Sequence, residues 1–188
     1  MLTLKNIIGN IKKGQSALAV RAVLNELERS YEKMLPGIVI SGCQKHGDNA
    51  TTIYLTMPSS STKSIVYDIV IWIRSTTKMD MDIPFKAYSN SPAFSYNFAY
   101  VFNQAGSLLF PNKYPKEFRE LPPKTRNPYM SAGFDRHIFS GIRYISEYKI
   151  PKIIGIYNGK VPQVKSFKEK IKEVNNVRAE LKRAQILT

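Results

Sequence analysis

Residues 64–74, SIVYDIVIWIR, decide the fold. Ile65, Tyr67, Ile69, Ile71 and Ile73 recur at every second position, with Val66, Asp68, Val70, Trp72 and Arg74 between them. That is the period of a β-strand, and both of its faces carry apolar side chains. The run is rich in β-branched and aromatic residues, so it predicts the centre of a sheet covered on both sides. Upstream, residues 37–43 (GIVISGC) and 51–57 (TTIYLTM) are shorter β-rich runs, separated by the turn-forming QKHGDN. The two predict a hairpin, and with it antiparallel pairing.

Before the hairpin, Val20, Leu24, Leu27, Tyr31 and Met34 fall at spacings of four, three, four and three, which is one stripe of an amphipathic helix. Ser16 is placed to cap its start. Pro36-Gly37 supplies a stop, because proline disfavours helical backbone at the residue before it. After the central strand, residues 93–103, AFSYNFAYVFN, alternate Phe94, Tyr96, Phe98, Tyr100 and Phe102 with small or polar residues, predicting a strand with one aromatic face. Residues 110–128 carry five prolines and a basic excess, and predict a long loop.

In residues 133–148, Phe134, Ile138, Ile142, Ile145 and Tyr148 stand at helical spacing, although Gly141 and the isoleucines also suit a strand. Residues 150–164 read as a short strand and turn. A last helix follows, with Phe167, Ile171, Val174, Val177, Leu181 and Ala184 along one stripe. Seven Lys/Arg against three Glu in residues 165–183 make it basic, and able to dock on protein, nucleic acid or membrane. The chain therefore reads as α+β: a mainly antiparallel sheet, an N-terminal amphipathic helix, a long proline-rich loop and a C-terminal amphipathic helix. Residues 1–15 read as an N-terminal arm, 16–160 as one domain and 161–188 as a basic helical arm.

Lys and Arg number 28 against 14 Asp and Glu, a formal net charge of +14 over 188 residues. Such an excess attracts phosphate polymers, because neutralising phosphates releases their condensed counterions. Lys113, Lys116, Arg119, Lys124, Arg126, Arg136 and Arg143 are the candidates for polyanion binding or subunit contact. An acidic protein or an anionic membrane surface would also answer the charge. The single Cys43 excludes an intrachain disulfide and points to a reducing compartment. The first fifteen residues have the pattern of neither a signal peptide nor a spanning helix.

Chemistry finds little purchase. Cys43 and His46 have the spacing of half a zinc site, with His137 a third ligand if the fold brings it near, and Asp80 and Asp82 form a D-x-D pair able to hold a hard cation. The plainer readings are a buried strand cysteine beside a loop histidine, and a solvated turn. Asp68 reads as the partner of a basic neighbour across the sheet. No phosphate-binding glycine loop, dinucleotide fingerprint or nucleophile elbow occurs. The expectation is a non-enzymatic protein without cofactor or metal. Phe98-Ala99-Tyr100-Val101 resembles the middle of the RNP1 signature of RNA-recognition domains, whose aromatics stack on bases. Tyr96, Asn97 and Asn103 depart from that signature.

Residues 89–103 (SNSPAFSYNFAYVFN) and 122–145 (PPKTRNPYMSAGFDRHIFSGIRYI) together resemble late structural proteins of tailed bacteriophages. The resemblance covers about the middle third of the chain. It implies a virion component of the capsid or of the neck joining head to tail, assembled in the host cytoplasm. Its partners would be copies of itself, other virion proteins and, without sequence specificity, packaged DNA. No catalytic residues are implied. The alternative is a basic nucleic-acid-binding protein that uses the aromatic strand and the Lys/Arg loop.

Overall fold

Four strands, β1 (Val39–Lys45), β2 (Thr51–Pro58), β3 (Val66–Ile73) and β4 (Phe85–Ser89), pair antiparallel in that order in a computed structural model of the chain. The structure describes residues 1–12, 15–59, 62, 64–123 and 135–186. Eight α-helices are described: α1 (Leu4–Lys12), α2 (Ala17–Met34), α3 (Pro92–Asn97), α4 (Ala99–Gln104), α5 (Lys116–Glu120), α6 (Arg136–Tyr148), α7 (Ile150–Tyr157) and α8 (Phe167–Ile186). The fold is α+β, with the antiparallel sheet and the two amphipathic terminal-side helices that the hydrophobic pattern predicts. Among the described residues, no helix is long and apolar enough to cross a membrane.

Cross-strand register puts Cys43, Ile53, Ile71 and Ala87 in one row, with Leu55 and Ile69 in another on the same face. This face is the core, and α6 lies directly on it. A Cβ on Gly141 would stand 2.9 Å from Ile71 Cδ1 and 3.2 Å from Leu55 Cδ1. The glycine that weakens the helix reading in the sequence is thus the point of closest approach between helix and sheet. Helix α2 packs outside α6, with Ser16 accepting from the Ala19 N–H as its cap and Val20, Leu27, Tyr31 and Met34 buried.

The second face is covered only in part, unlike the two-sided cover expected of β3. Val70 is buried and Val66 is exposed. Residues 158–166 cross this side. Lys160 bridges Cys43, the Pro162 ring stands over Gly42, and the Lys165 N–H donates to Asp68 at 3.0 Å. Asp68 also accepts from Asn90 Nδ2 at 2.9 Å, so its partners are amides and not the basic neighbour expected across the sheet. Beyond β4, Leu2 pairs with Phe85 and Leu108 with Ala87, so that edge too is occupied.

The aromatic strand does not form. Ser91 accepts from the Phe94 N–H and Pro92 occupies the first turn, so the chain enters helix α3 and, after a break at Phe98, helix α4. The alternating aromatics contain a second period of four. Phe94, Phe98 and Phe102 share a helical face, with Phe94 and Phe102 fully buried, while Tyr96 turns away onto Phe118 at 4.6 Å. Residues 150–157 likewise form α7 in place of the expected strand. Ile150 and Ile153 are buried at helical spacing, and burial outweighs the strand preference of β-branched side chains. Within the proline-rich stretch, α5 supplies one short helix.

Candidate functional site

The seven cations expected to form a polyanion surface go to different places. Lys124 and Arg126 lie outside the described residues. Arg136 pairs with Glu26, while Arg143 reaches Glu147 at 3.2 Å and Glu28 at 3.6 Å and lies over the Tyr31 ring. These half-exposed pairs contribute under about 1 kcal/mol each, but they place both arginines on the α2–α6 contact. Arg119 is largely covered, turns toward Glu120 at 3.2 Å, and accepts at its carbonyl from Asn103 Nδ2. Lys113 and Lys116 remain, and the fold brings Lys168 to them.

The loop before α5 passes the start of α8, and there the three lysines, with Asn112 and Ser166, line a recess of about 310 Å³. Lys113 is half-buried and donates from Nζ to the Val164 carbonyl at 2.6 Å, which fastens the loop to the chain entering α8. Lys116 and Lys168 are exposed, and no hydrogen bond or ion pair holds either ammonium among the described residues. Ser166 and Glu169 cap α8 reciprocally: the Ser166 N–H and Oγ–H each donate to the Glu169 carboxylate at 2.6 Å, and Ser166 Oγ accepts from the Glu169 N–H at 3.4 Å. Those hydrogen bonds, with Lys113 and Lys165 adding to them, hold the Glu169 carboxyl below its ordinary range. One carboxylate against three ammoniums leaves an excess of positive charge. Compact, rotatable ammonium groups beside a helix N-terminus suit a phosphate oxygen.

The other constellations are occupied by the chain itself. Cys43 is fully buried and burial pushes its thiol up to about 11, while His46 shares a hydrogen bond with Thr52 Oγ1 at 2.8 Å. His137 lies elsewhere, in the first turn of α6 and edge-on to Tyr67, with Nδ1 3.3 Å from the Asp135 carboxylate but without hydrogen-bond geometry. Asp80 is taken by Lys78 at 2.6 Å, which draws its carboxyl down, and Asp82 by Lys5 at 3.2 Å. Among the described residues, no three His, Cys, Asp or Glu side chains converge as metal ligands would. Phe94 and Phe102, which only the nucleic-acid alternative would place against bases, are core, and Phe98 and Tyr100 are half-buried on the short helices.

A larger hollow, about 820 Å³, opens between α3, α5 and α8, with Tyr96, Phe118 and Leu121 on one side and Ile171, Val174 and Arg178 on the other. Its lining is mixed, with Glu117, Asn175 and Arg178 among the apolar side chains. Lys168 is the residue that sequence reasoning missed. The pattern Ser166-Phe167-Lys168-Glu169 is a capping-box signature and marks Lys168 as first-turn, but nothing in it indicates that residues 112–116 pass alongside. Comparison with known protein families, with curated proteins and with solved structures finds no match.

Proposed function

We propose that this chain is a non-enzymatic, basic protein that binds the phosphate backbone of nucleic acid, acting as an oligomeric structural or assembly component of a tailed-bacteriophage particle. The observation that supports binding is the recess at the start of α8, where Lys113, Lys116 and Lys168 gather in a chain of net charge +14. Separately placed lysines on loop and helix reach a common hollow, and two of them have no counter-charge of their own. The particle setting rests on the sequence resemblance of residues 89–103 and 122–145. A proline-rich segment and terminal helices are the kind of parts that engage neighbouring subunits.

Backbone binding is tested by the double substitution Lys116→Glu/Lys168→Glu, at exposed positions whose ammonium groups hold no hydrogen bond or ion pair among the described residues. Affinity for a fluorescent DNA duplex, measured over a range of salt concentrations, should fall linearly on logarithmic axes. The double variant should flatten that slope by roughly 2, at about 0.9 per phosphate contact. Salt-insensitive binding, or an unchanged slope in the variant, removes the recess from the interface. The particle setting is tested by native mass measurement of the purified protein, where a defined multimer is expected and a strict monomer counts against it.

A further inference from the structure

The end of α6 and the whole of α7 present a surface that the recess does not explain. Helix α6 stops at Lys149, whose positive φ of 68° breaks the helical path while its N–H still donates to the Ile145 carbonyl. Helix α7 then anchors through Ile150 and Ile153, leaving Lys152 and Ile156 on its outer side. Tyr144 and Tyr148 stack with ring centroids 5.7 Å apart and 24° between planes. Lys152 Nζ stands 4.7 Å from the Tyr148 ring centre, and past the turn after α7, Lys160 Nζ stands 5.4 Å from that of Tyr157. Tyr144, Tyr148 and Tyr157 all pack half-buried against the core, the first two on the last turns of α6 and the third at the end of α7, which follows it directly.

Two properties of this surface point the same way. The rings are half-buried, held in place by packing, yet their faces are open enough for ammonium groups to sit on them. Lys149, Lys152 and Lys160 form no ion pair with any carboxylate among the described residues, and Lys152 and Lys160 stand instead over tyrosine rings. An anion is the missing partner of the lysines, and a flat π-system is the natural occupant of a ring face. An unpaired nucleotide carries both. A duplex keeps its base faces stacked inside and offers only the phosphates.

We propose that the face built by Tyr144, Tyr148, Tyr157, Lys149, Lys152 and Lys160 binds single-stranded nucleic acid, with bases stacking on the tyrosine rings and the lysines moving from ring faces to the adjacent phosphates. The inference rests on the nucleic-acid reading above and adds to it a preference for unpaired bases and a second location. Stacking of this kind tolerates any base, so the preference is for strandedness and not for sequence.

The test compares an oligothymidylate with an abasic oligomer of equal length and charge, at one salt concentration, by fluorescence anisotropy. The protein should bind the oligothymidylate more tightly, and Tyr148→Leu/Tyr157→Leu, which removes two stacking rings, should weaken that binding by roughly 30-fold or more while leaving the abasic oligomer unaffected. Equal affinity of the unaltered protein for both oligomers overturns the stacking face and leaves the backbone reading standing. Binding to neither overturns both. Photo-cross-linking of the unaltered protein to an oligomer carrying 5-iodouracil covers the case in which the double variant fails to fold. Cross-links should map within residues 144–160, and cross-links confined to other segments sink the proposal.

Discussion

Substituting Gly42 by alanine perturbs the join between the sheet and the segment that carries Lys160. An extra residue in β1 between Ile40 and Gly42 forms a bulge, which turns Gly42 toward the crossing chain. A Cβ there would lie 2.2 Å from the Lys160 carbonyl oxygen, 2.7 Å from Pro162 Cδ and 3.0 Å from the Lys160 carbonyl carbon. These atoms are backbone and a fixed ring, so no side chain can rotate away. Ordinary carbon–oxygen contact requires strand and segment to part by about 1 Å. The Cys43 N–H to Lys160 carbonyl and Gly159 N–H to Cys43 carbonyl bonds, each 2.9 Å, would then exceed hydrogen-bonding distance. Two backbone hydrogen bonds at about 1 kcal/mol each, with about 1–3 kcal/mol of overpacking, give a destabilisation of about 3–5 kcal/mol. For a domain of this length that lowers the melting temperature by roughly 6–20 °C. Thermal unfolding followed by far-ultraviolet circular dichroism reads the change. Gly155→Ala is the control: a Cβ at this exposed α7 position meets nothing within 4 Å, so it should stabilise by about 0.5–1 kcal/mol. A Gly42→Ala protein that melts with the unaltered one would refute the reasoning.

Asp68→Ala removes the carboxylate that joins Asn90 to the Lys165 N–H, and should cost about 2–3 kcal/mol in urea unfolding; a midpoint unchanged within error would mean that the bridge carries no stability. Cys43, fully buried and with its thiol pushed up to about 11, should resist iodoacetamide at pH 8 until the protein unfolds, whereas prompt labelling of the native chain would contradict its place in the core. Burial raises Tyr31, Tyr54, Tyr67, Tyr88, Tyr114 and Tyr144, with the Glu147 carboxylate adding to the effect at Tyr31. Because the folded values lie above the unfolded value near 10, this stability is fully present below pH 10 and is lost as pH rises beyond it. Tyrosinate absorbance should therefore show these side chains ionising together with alkaline unfolding. A single step for all 11 tyrosines near pH 10 in a still-folded protein would count against it.

Local periodicity made much of this architecture legible. The unbroken two-residue alternation of residues 64–74 fits only a sheet, and the Ser16 cap with its three-four stripe fits only a helix, so β3 and α2 stand where the pattern puts them. The hairpin of β1 and β2 follows from its turn residues in the same way. Residues 93–103 were misread as a strand because a two-residue period contains a four-residue one. The cap at Ser91, the proline after it and the room beyond β4 for Phe94 and Phe102 resolved them as helices. The isoleucines of α7 were misread because strand propensity measures fit to a half-buried surface, and a helix can provide that surface too.

Net charge and the absence of a recognisable catalytic motif belong to the sequence alone, since both are sums over residues that no folding changes. Which cations act together is a different kind of quantity. Arg136 and Arg143 carry the same formal charge as Lys116 and Lys168, yet α2 brings carboxylates to the former pair and, among the described residues, none pairs with the latter. Lys113 and Lys168 are far apart in sequence and meet only because the loop before α5 passes the start of α8. Tyr148 and Lys152 face each other because a left-handed residue at Lys149 ends one helix and lets the next begin. Composition supplies the charge, and long-range packing decides which charges are neutralised and which are left for a partner, because Coulomb attraction depends on separations that only the folded chain defines.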